Sequence, residues 1–324
     1  MCLNDSGKCA GQRTAQRWYG SECSPFKRRA LRNGRSSWLS HKKGGFAGAV
    51  AKSAAFCGTL AGLPLASSSR KSVVLSLRNA YEALAVSVPT VVDAARHRLT
   101  ERTCDERLER FAANVMRNAE IVLSVRGREH LEGAQSSLGA LAGVDGHART
   151  YVVMSNHQSH YDVPVLYYVL GGRMRMVAKT ELFKLPLFGR AIRDAGMIEV
   201  DRGNRQRAIA SLATAKAQLA EGTHIWLAPE GTRSETGELL PFKKGGFVLA
   251  LDMEAPILPI TIKGTRDVLP SHGMFSRKGV PVHVTIHAPI ETSPFLARSG
   301  TKTDAKAARD ALMTEVRLAI ASAL

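Results

Sequence analysis

A histidine and an aspartate stand five residues apart in Asn156-His157-Gln158-Ser159-His160-Tyr161-Asp162. An imidazole held at one nitrogen by a carboxylate keeps its other nitrogen free to take a proton, which is general-base chemistry. On one straight helix, five residues turn through about 500° and leave the two side chains roughly 140° apart. A hydrogen bond between them therefore requires His157 on a loop and Asp162 inside a helix that begins near Ser159. Ser155-Asn156 upstream and Pro164 downstream fit such a turn into a helix start. Two other readings of the same residues stay open. The pair can be structural, or His157 and His160 can be two metal ligands, although no third ligand stands nearby.

A second group is Glu230-Gly231-Thr232-Arg233-Ser234. Glycine lets backbone amides approach a ligand closely, and arginine offers a planar fork suited to phosphate. Lys243-Lys244-Gly245-Gly246 just beyond reads as a flexible cationic loop. A third group is Gly196-Met197-Ile198-Glu199-Val200-Asp201-Arg202, and a fourth, beginning at Lys179, runs through Pro186 with a further cation at Lys184. Taken singly, each of these also reads as a solvated turn or strand end.

The elements that must position these residues follow from the apolar pattern. Short apolar runs at 151–154, 175–178, 224–227 and 257–262 read as buried strands, and 280–288 as a late strand with alternation. Segments 163–170, 205–222 and 304–324 read as helices between and after them. Strand–helix alternation of this kind predicts an α/β fold: a layered, partly parallel sheet flanked by helices. In such folds chemistry collects at the carboxyl ends of strands, where His157 and Glu230 both fall. Upstream, 73–98 carries apolar residues at helical spacing, with Pro89 expected to kink or split it. This amphipathic stretch can pack on the domain or lie in a bilayer interface. A second helix over 105–118 and a strand over 120–125 follow, then a small-residue loop over 133–148. The organisation expected is a basic, weakly ordered tail (1–70), N-terminal amphipathic helices (71–119) and an α/β domain (120–324).

The chain has 324 residues and a formal net charge of +17, with 44% hydrophobic and 23% charged residues. That is a globular composition with affinity for something anionic. Aromatics are only 6% and no stacking-rich basic motif stands out, so nucleic acid is not the expected partner. Five cysteines (Cys2, Cys9, Cys23, Cys57, Cys104) without metal-type spacing read as free thiols in a reducing compartment. The small-residue segment Ala47–Ser67 is interrupted by Lys52 and reads neither as an export signal nor as a membrane span.

The four motifs and their order resemble the glycerolipid acyltransferase family, the 1-acylglycerol-3-phosphate acyltransferases. That family carries N-H-x4-D, then G-x-I-x-V-D-R, then E-G-T-R-S, then an apolar segment with spaced prolines. Here these are Asn156-His157 with Asp162, Gly196 through Arg202, Glu230 through Ser234, and Ala255-Pro256-Ile257-Leu258-Pro259-Ile260. The resemblance spans roughly residues 75–290.

It implies that His157 deprotonates a glycerol hydroxyl, which attacks an acyl thioester, while Asp162 orients the imidazole. It further implies that Arg233, helped by Lys179 and shaped by Glu230, Gly231 and Thr232, binds the acceptor's phosphate. Asn156, Asp201 and Arg202 are then supporting residues, and Ser155 and Ser159 local hydrogen-bonding groups. No metal or bound cofactor is expected, because acyl-CoA or acyl-carrier protein serves as co-substrate. The expected acceptor is lysophosphatidate; another lysophospholipid or a lyso-aminolipid, or hydrolysis by a lipid thioesterase, are the alternatives. The +17 then suits peripheral attachment to an anionic membrane surface on its cytoplasmic side.

Overall fold

The computed structural model describes residues 67–131, 150–201, 203, 205–297 and 302–324. Most of the basic tail, the 133–148 stretch and Arg202 lie outside the described residues.

Strands β1 (Val122–Arg126), β2 (Val152–Ser155), β3 (Met174–Lys179), β4 (Ile198–Val200), β5 (His224–Leu227), β6 (Ile257–Lys263) and β7 (Pro281–Ile286) form one sheet. Their order across it is β1-β7-β6-β2-β5-β3-β4. The five strands from β6 to β4 run parallel, whereas β7 is antiparallel to β6 and carries β1 parallel to itself. All four residues of β2 are buried, as are the first six of β6. Strands covered on both faces read as continuous apolar runs, which is why they were visible in the sequence. In β7 only alternate residues (Val282, Val284, Ile286) are buried.

The helices are α1 (Ser67–Ala95), α2 (Glu101–Asn118), α3 (Asp162–Leu170), α4 (Thr180–Phe183), α5 (Phe188–Asp194), α6 (Arg205–Ala220), α7 (Gly245–Asp252), α8 (Thr265–Val268), α9 (Ser293–Leu296) and α10 (Lys302–Ala321). Because side chains alternate along a strand, β2 feeds two cores. Val153 joins Leu75 of α1, Val115 of α2 and Leu166 of α3 on one face. Val152 and Met154 join Leu219 of α6, Phe247 of α7 and Leu312 of α10 on the other. The result is three layers, helix–sheet–helix.

Several local expectations change. Pro89 does not split the first helix, which runs unbroken through Ala95. Tertiary bonds clamp α1 on both sides of the proline: Asn114 Nδ2 donates to Glu82 at 2.8 Å, and Arg107 bonds Thr90 and Asp93. Packing of this kind outweighs a local defect in a long helix. The second helix starts at Glu101, four residues early, because Thr100 caps it by accepting the Thr103 N–H at 3.2 Å. The first strand starts two residues late because Glu120 adopts φ +51°, which turns the chain out of α2. Gly245-Gly246 is no flexible loop; it opens α7. A Cβ on Gly246 would lie 2.7 Å from Leu227 Cδ1, so the glycine serves close helix–sheet packing. Among the described residues no helix is long and apolar enough to cross a membrane.

Candidate active site

The parallel strands bring their carboxyl ends to one edge of the sheet, and the motifs sit there. His157 follows β2, Lys179 ends β3, Asp201 follows β4 and Glu230–Ser234 follows β5. The loop after β2 is fastened to its neighbours by side chains that imitate backbone. Asn156 donates to Ile262 O and accepts from Ile262 N–H, both at 2.8 Å, extending the β2–β6 ladder through its amide. Ser155 accepts from Trp226 Nε1 at 3.0 Å, and Ser159 donates to Leu269 O at 2.7 Å. Both serines are thus hydrogen-bonding groups, with these partners 71 and 110 residues away rather than local.

His157 lies on this loop, with its Nδ1 2.7 Å from Asp162 Oδ2. Asp162 is the first residue of α3, which begins three residues later than the expected start near Ser159. Its carboxylate is wholly buried. Oδ2 also accepts the N–H groups of Gln158 (2.8 Å) and Ser159 (2.9 Å), and Oδ1 accepts the Thr265 hydroxyl at 2.6 Å. An oxygen already taking two backbone donors acts as an acceptor, so the imidazole donates from Nδ1 and keeps its lone pair on Nε2. The ring stands edge-on to Trp226, with centroids 6.2 Å apart and planes at 88°. It is 21% exposed, so the pair is anchored inside and reachable from outside.

Glu230, expected to shape the phosphate pocket, has its carboxylate turned to two backbone donors. Its carboxylate is buried, with Oε1 accepting His157 N–H and Oε2 accepting Leu240 N–H, both at 2.8 Å. Burial raises its pKa, opposed by those two backbone donors. A side chain with only acceptors, both used, holds the two loops together and offers nothing to an anion. Ser234 completes the join by donating its N–H to His157 O at 2.8 Å. Gly231 makes the turn at φ +78°, and Thr232 is exposed on it.

Arg233 is half-buried and Lys179 exposed, and neither is paired with a carboxylate among the described residues. Both bear on His160, as does His157. The His160 ring is accessible to solvent yet lines a cavity wall. Desolvation, then the positive charge of Arg233, lower its pKa to about 4. A neutral imidazole and two unpaired cations therefore share one neighbourhood with the His157–Asp162 pair. Asp201 lies apart from it. Its carboxylate takes the Gly203 N–H at 3.0 Å and Arg207 at 3.1 Å, and it lines a separate hollow beside Glu199 and Arg193. Among the described residues no group of three or more His, Cys, Asp or Glu side chains is placed to hold a metal ion.

Beside His160 is an apolar cavity of about 440 Å³ between α1, α2, α3 and α5. Its walls include Val86, Leu108, Phe111, Tyr167, Met176 and Ile192. The catalytic-looking loop touches this region directly, since Asn79 of α1 donates to the Tyr161 hydroxyl at 2.7 Å. Sequence reading missed the cavity, because two helices well upstream in the chain, α1 and α2, build much of it. It also missed Thr265, which follows Gly264 at the carboxyl end of β6. The positional rule that flagged His157 and Glu230 applies there equally.

An α/β sheet with a buried carboxylate–imidazole pair at its carboxyl edge, flanked by cations and an apolar cavity, suits group transfer between amphiphiles. Residues 122–263 match the family described as Acyltransferase. The human 1-acyl-sn-glycerol-3-phosphate acyltransferase alpha is 36% identical over 148 residues, 45% of this chain and 47% of that protein. The Saccharomyces cerevisiae 1-acyl-sn-glycerol-3-phosphate acyltransferase is 34% identical over 148 residues, 44% and 48%. The chain spans about half the length of these curated relatives. The solved structure of the LPA acyltransferase PlsC from Thermotoga maritima shares the fold. Its TM-score is 0.56 at 23% identity, covering 76% of this chain and 95% of that one.

Proposed function

We propose that the chain transfers a fatty acyl group from a thioester, acyl-CoA or acyl-carrier protein, to the free hydroxyl of lysophosphatidate, giving phosphatidate. The observation that carries this reading is the 2.7 Å Nδ1–Oδ2 bond of His157 and Asp162, which leaves Nε2 free on a partly exposed ring. Nε2 takes the proton of the acceptor hydroxyl as its oxygen attacks the thioester carbonyl. The tetrahedral intermediate collapses, the C–S bond breaks, and the imidazolium returns its proton to the departing thiolate. Asp162 stabilises the imidazolium between these steps. Arg233 and Lys179 hold the acceptor's phosphate, and the cavity beside His160 receives an acyl chain. The curated relatives' names support the choice of acceptor.

Peripheral attachment to an anionic membrane surface, on its cytoplasmic side, belongs to the same reading. Leu77, Tyr81, Leu84 and Val88 form an exposed apolar stripe along α1, suited to a bilayer interface. The test is thiol release from acyl-CoA by the purified chain, with and without lysophosphatidate. Acceptor-dependent release with formation of phosphatidate supports the proposal. Release that ignores the acceptor shows hydrolysis instead, and release only with another lysophospholipid or a lyso-aminolipid reassigns the acceptor.

A further inference from the structure

We infer that Thr265 is a positioning residue for the His157–Asp162 pair, its hydroxyl fixing the plane of the carboxylate so that Oδ2 stays on the imidazole. The effect on turnover rests on the acyl-transfer reading above; the geometry does not. Asp162 Oδ2 takes its donors from within its own loop: His157 Nδ1, Gln158 N and Ser159 N. The donor to Oδ1 is Thr265 Oγ1, at 2.6 Å and 103 residues away in the chain. Both side chains are wholly buried, so bulk solvent does not stand in for a lost donor. A carboxylate pinned at one oxygen by three groups on one side can still rotate or tilt about its Cβ–Cγ bond. A second tie on the opposite oxygen, from another element, removes that freedom.

The hydroxyl is itself rigidly placed. Thr265 opens α8 directly after Gly264, whose φ is +96°. A Cβ at Gly264 would lie 2.2 Å from Pro281 O, so the turn between β6 and α8 is fixed by its contact with β7. The level of β6 beside the loop is set by Ser155 opposite Ile260 and by the two Asn156–Ile262 bonds. Thr265 thus transmits the register of the sheet to the carboxylate.

The test compares Thr265→Val, which keeps the shape and loses the donor, with Thr265→Ser, which keeps the donor. Thr265→Ala removes the same hydroxyl without adding a methyl, should the valine variant not fold. With acyl-CoA and lysophosphatidate, the valine variant is expected to lose turnover by on the order of tenfold to a hundredfold. KM for both substrates should stay within about twofold and the serine variant near wild type. An equal loss in the serine variant, an effect confined to KM, or unchanged kcat in the valine variant overturns the assignment. Proton NMR reads the same geometry without turnover. The downfield His157 Nδ1–H resonance, assigned by its loss in His157→Ala, should shift or broaden in Thr265→Val and not in Thr265→Ser. An unmoved resonance sinks the positioning role. A moved resonance in a chain that transfers no acyl group sinks only the acyl-transfer reading.

Discussion

His157 and Asp162 meet across a loop, through a 2.7 Å bond from Nδ1 to a carboxylate that is wholly buried. The imidazole reaches solvent while its partner does not, so under the proposed acyl transfer His157 would exchange the proton and Asp162 would hold the ring. His157→Ala should abolish acyl transfer. Asp162→Asn keeps the size of the side chain but removes its charge, and kcat should fall by about 10²–10⁴. Initial rates of acceptor-dependent thiol release check both. More than a tenth of the wild-type rate in His157→Ala would mean that another group is the base.

Glu230 makes a contrasting case, because its carboxylate spans His157 N and Leu240 N rather than a substrate. Glu230→Gln keeps one acceptor and sets an NH₂ against the other backbone donor. The expected cost is about 1–3 kcal/mol of stability, read by denaturant unfolding. Turnover should fall as the His157 loop loosens, with KM for the phosphorylated acceptor little changed. A raised KM at constant kcat would return Glu230 to the phosphate pocket.

For Arg233 and Lys179 the expectation is reversed. Both lack a carboxylate partner among the described residues and both bear on His160. Arg233→Ala should raise KM for lysophosphatidate by about tenfold or more, consistent with a lost charge-assisted bond. Arg233→Lys should recover only part of it, since an ammonium does not reproduce the planar fork. An acceptor KM that does not move in either Arg233→Ala or Lys179→Ala would remove the phosphate role from both.

His157 and Glu230 were readable as strand-end residues because β2 and β5 carry short buried apolar runs, which parallel strands covered on both faces produce. That put both at carboxyl ends of strands, whereas Lys179 and Asp201 join them at one edge only with the sheet order. It did not tell which way each side chain faces. Glu230 was grouped with the phosphate pocket by the family resemblance of its motif, whereas its carboxylate holds two backbone N–H groups, one 73 residues away and one ten residues on. Gly245-Gly246 was taken as flexible because composition alone does not distinguish a loose glycine from one pressed against Leu227. Thr265 lies 103 residues from the carboxylate it contacts, a pairing set by β6 lying beside β2. Pattern reveals which element a residue belongs to; contacts between elements come only with the sheet order.

One pH-dependent feature belongs to the framework beneath the site. His224 opens β5 beside β2, where its Nδ1 accepts the Tyr151 N–H at 3.0 Å. Burial, helped by the nearby Arg173 charge, lowers its pKa to about 4 from the ordinary 6.5. Protonation would put a proton on Nδ1 facing the Tyr151 donor, so the folded chain resists it. The unfolded chain takes up this proton as pH falls through about 6.5, whereas the folded chain does so only near 4. His224 therefore costs no stability above about pH 7. From there the penalty grows as pH drops, reaching a limit of roughly 3 kcal/mol near pH 4. His224→Asn places an acceptor oxygen near the position of Nδ1 and does not titrate. Denaturant unfolding between pH 4 and pH 7 should show a shallower loss of stability in the variant than in wild type. Parallel curves would mean that the proton is accommodated in the folded state, and that the Tyr151 bond does not govern it.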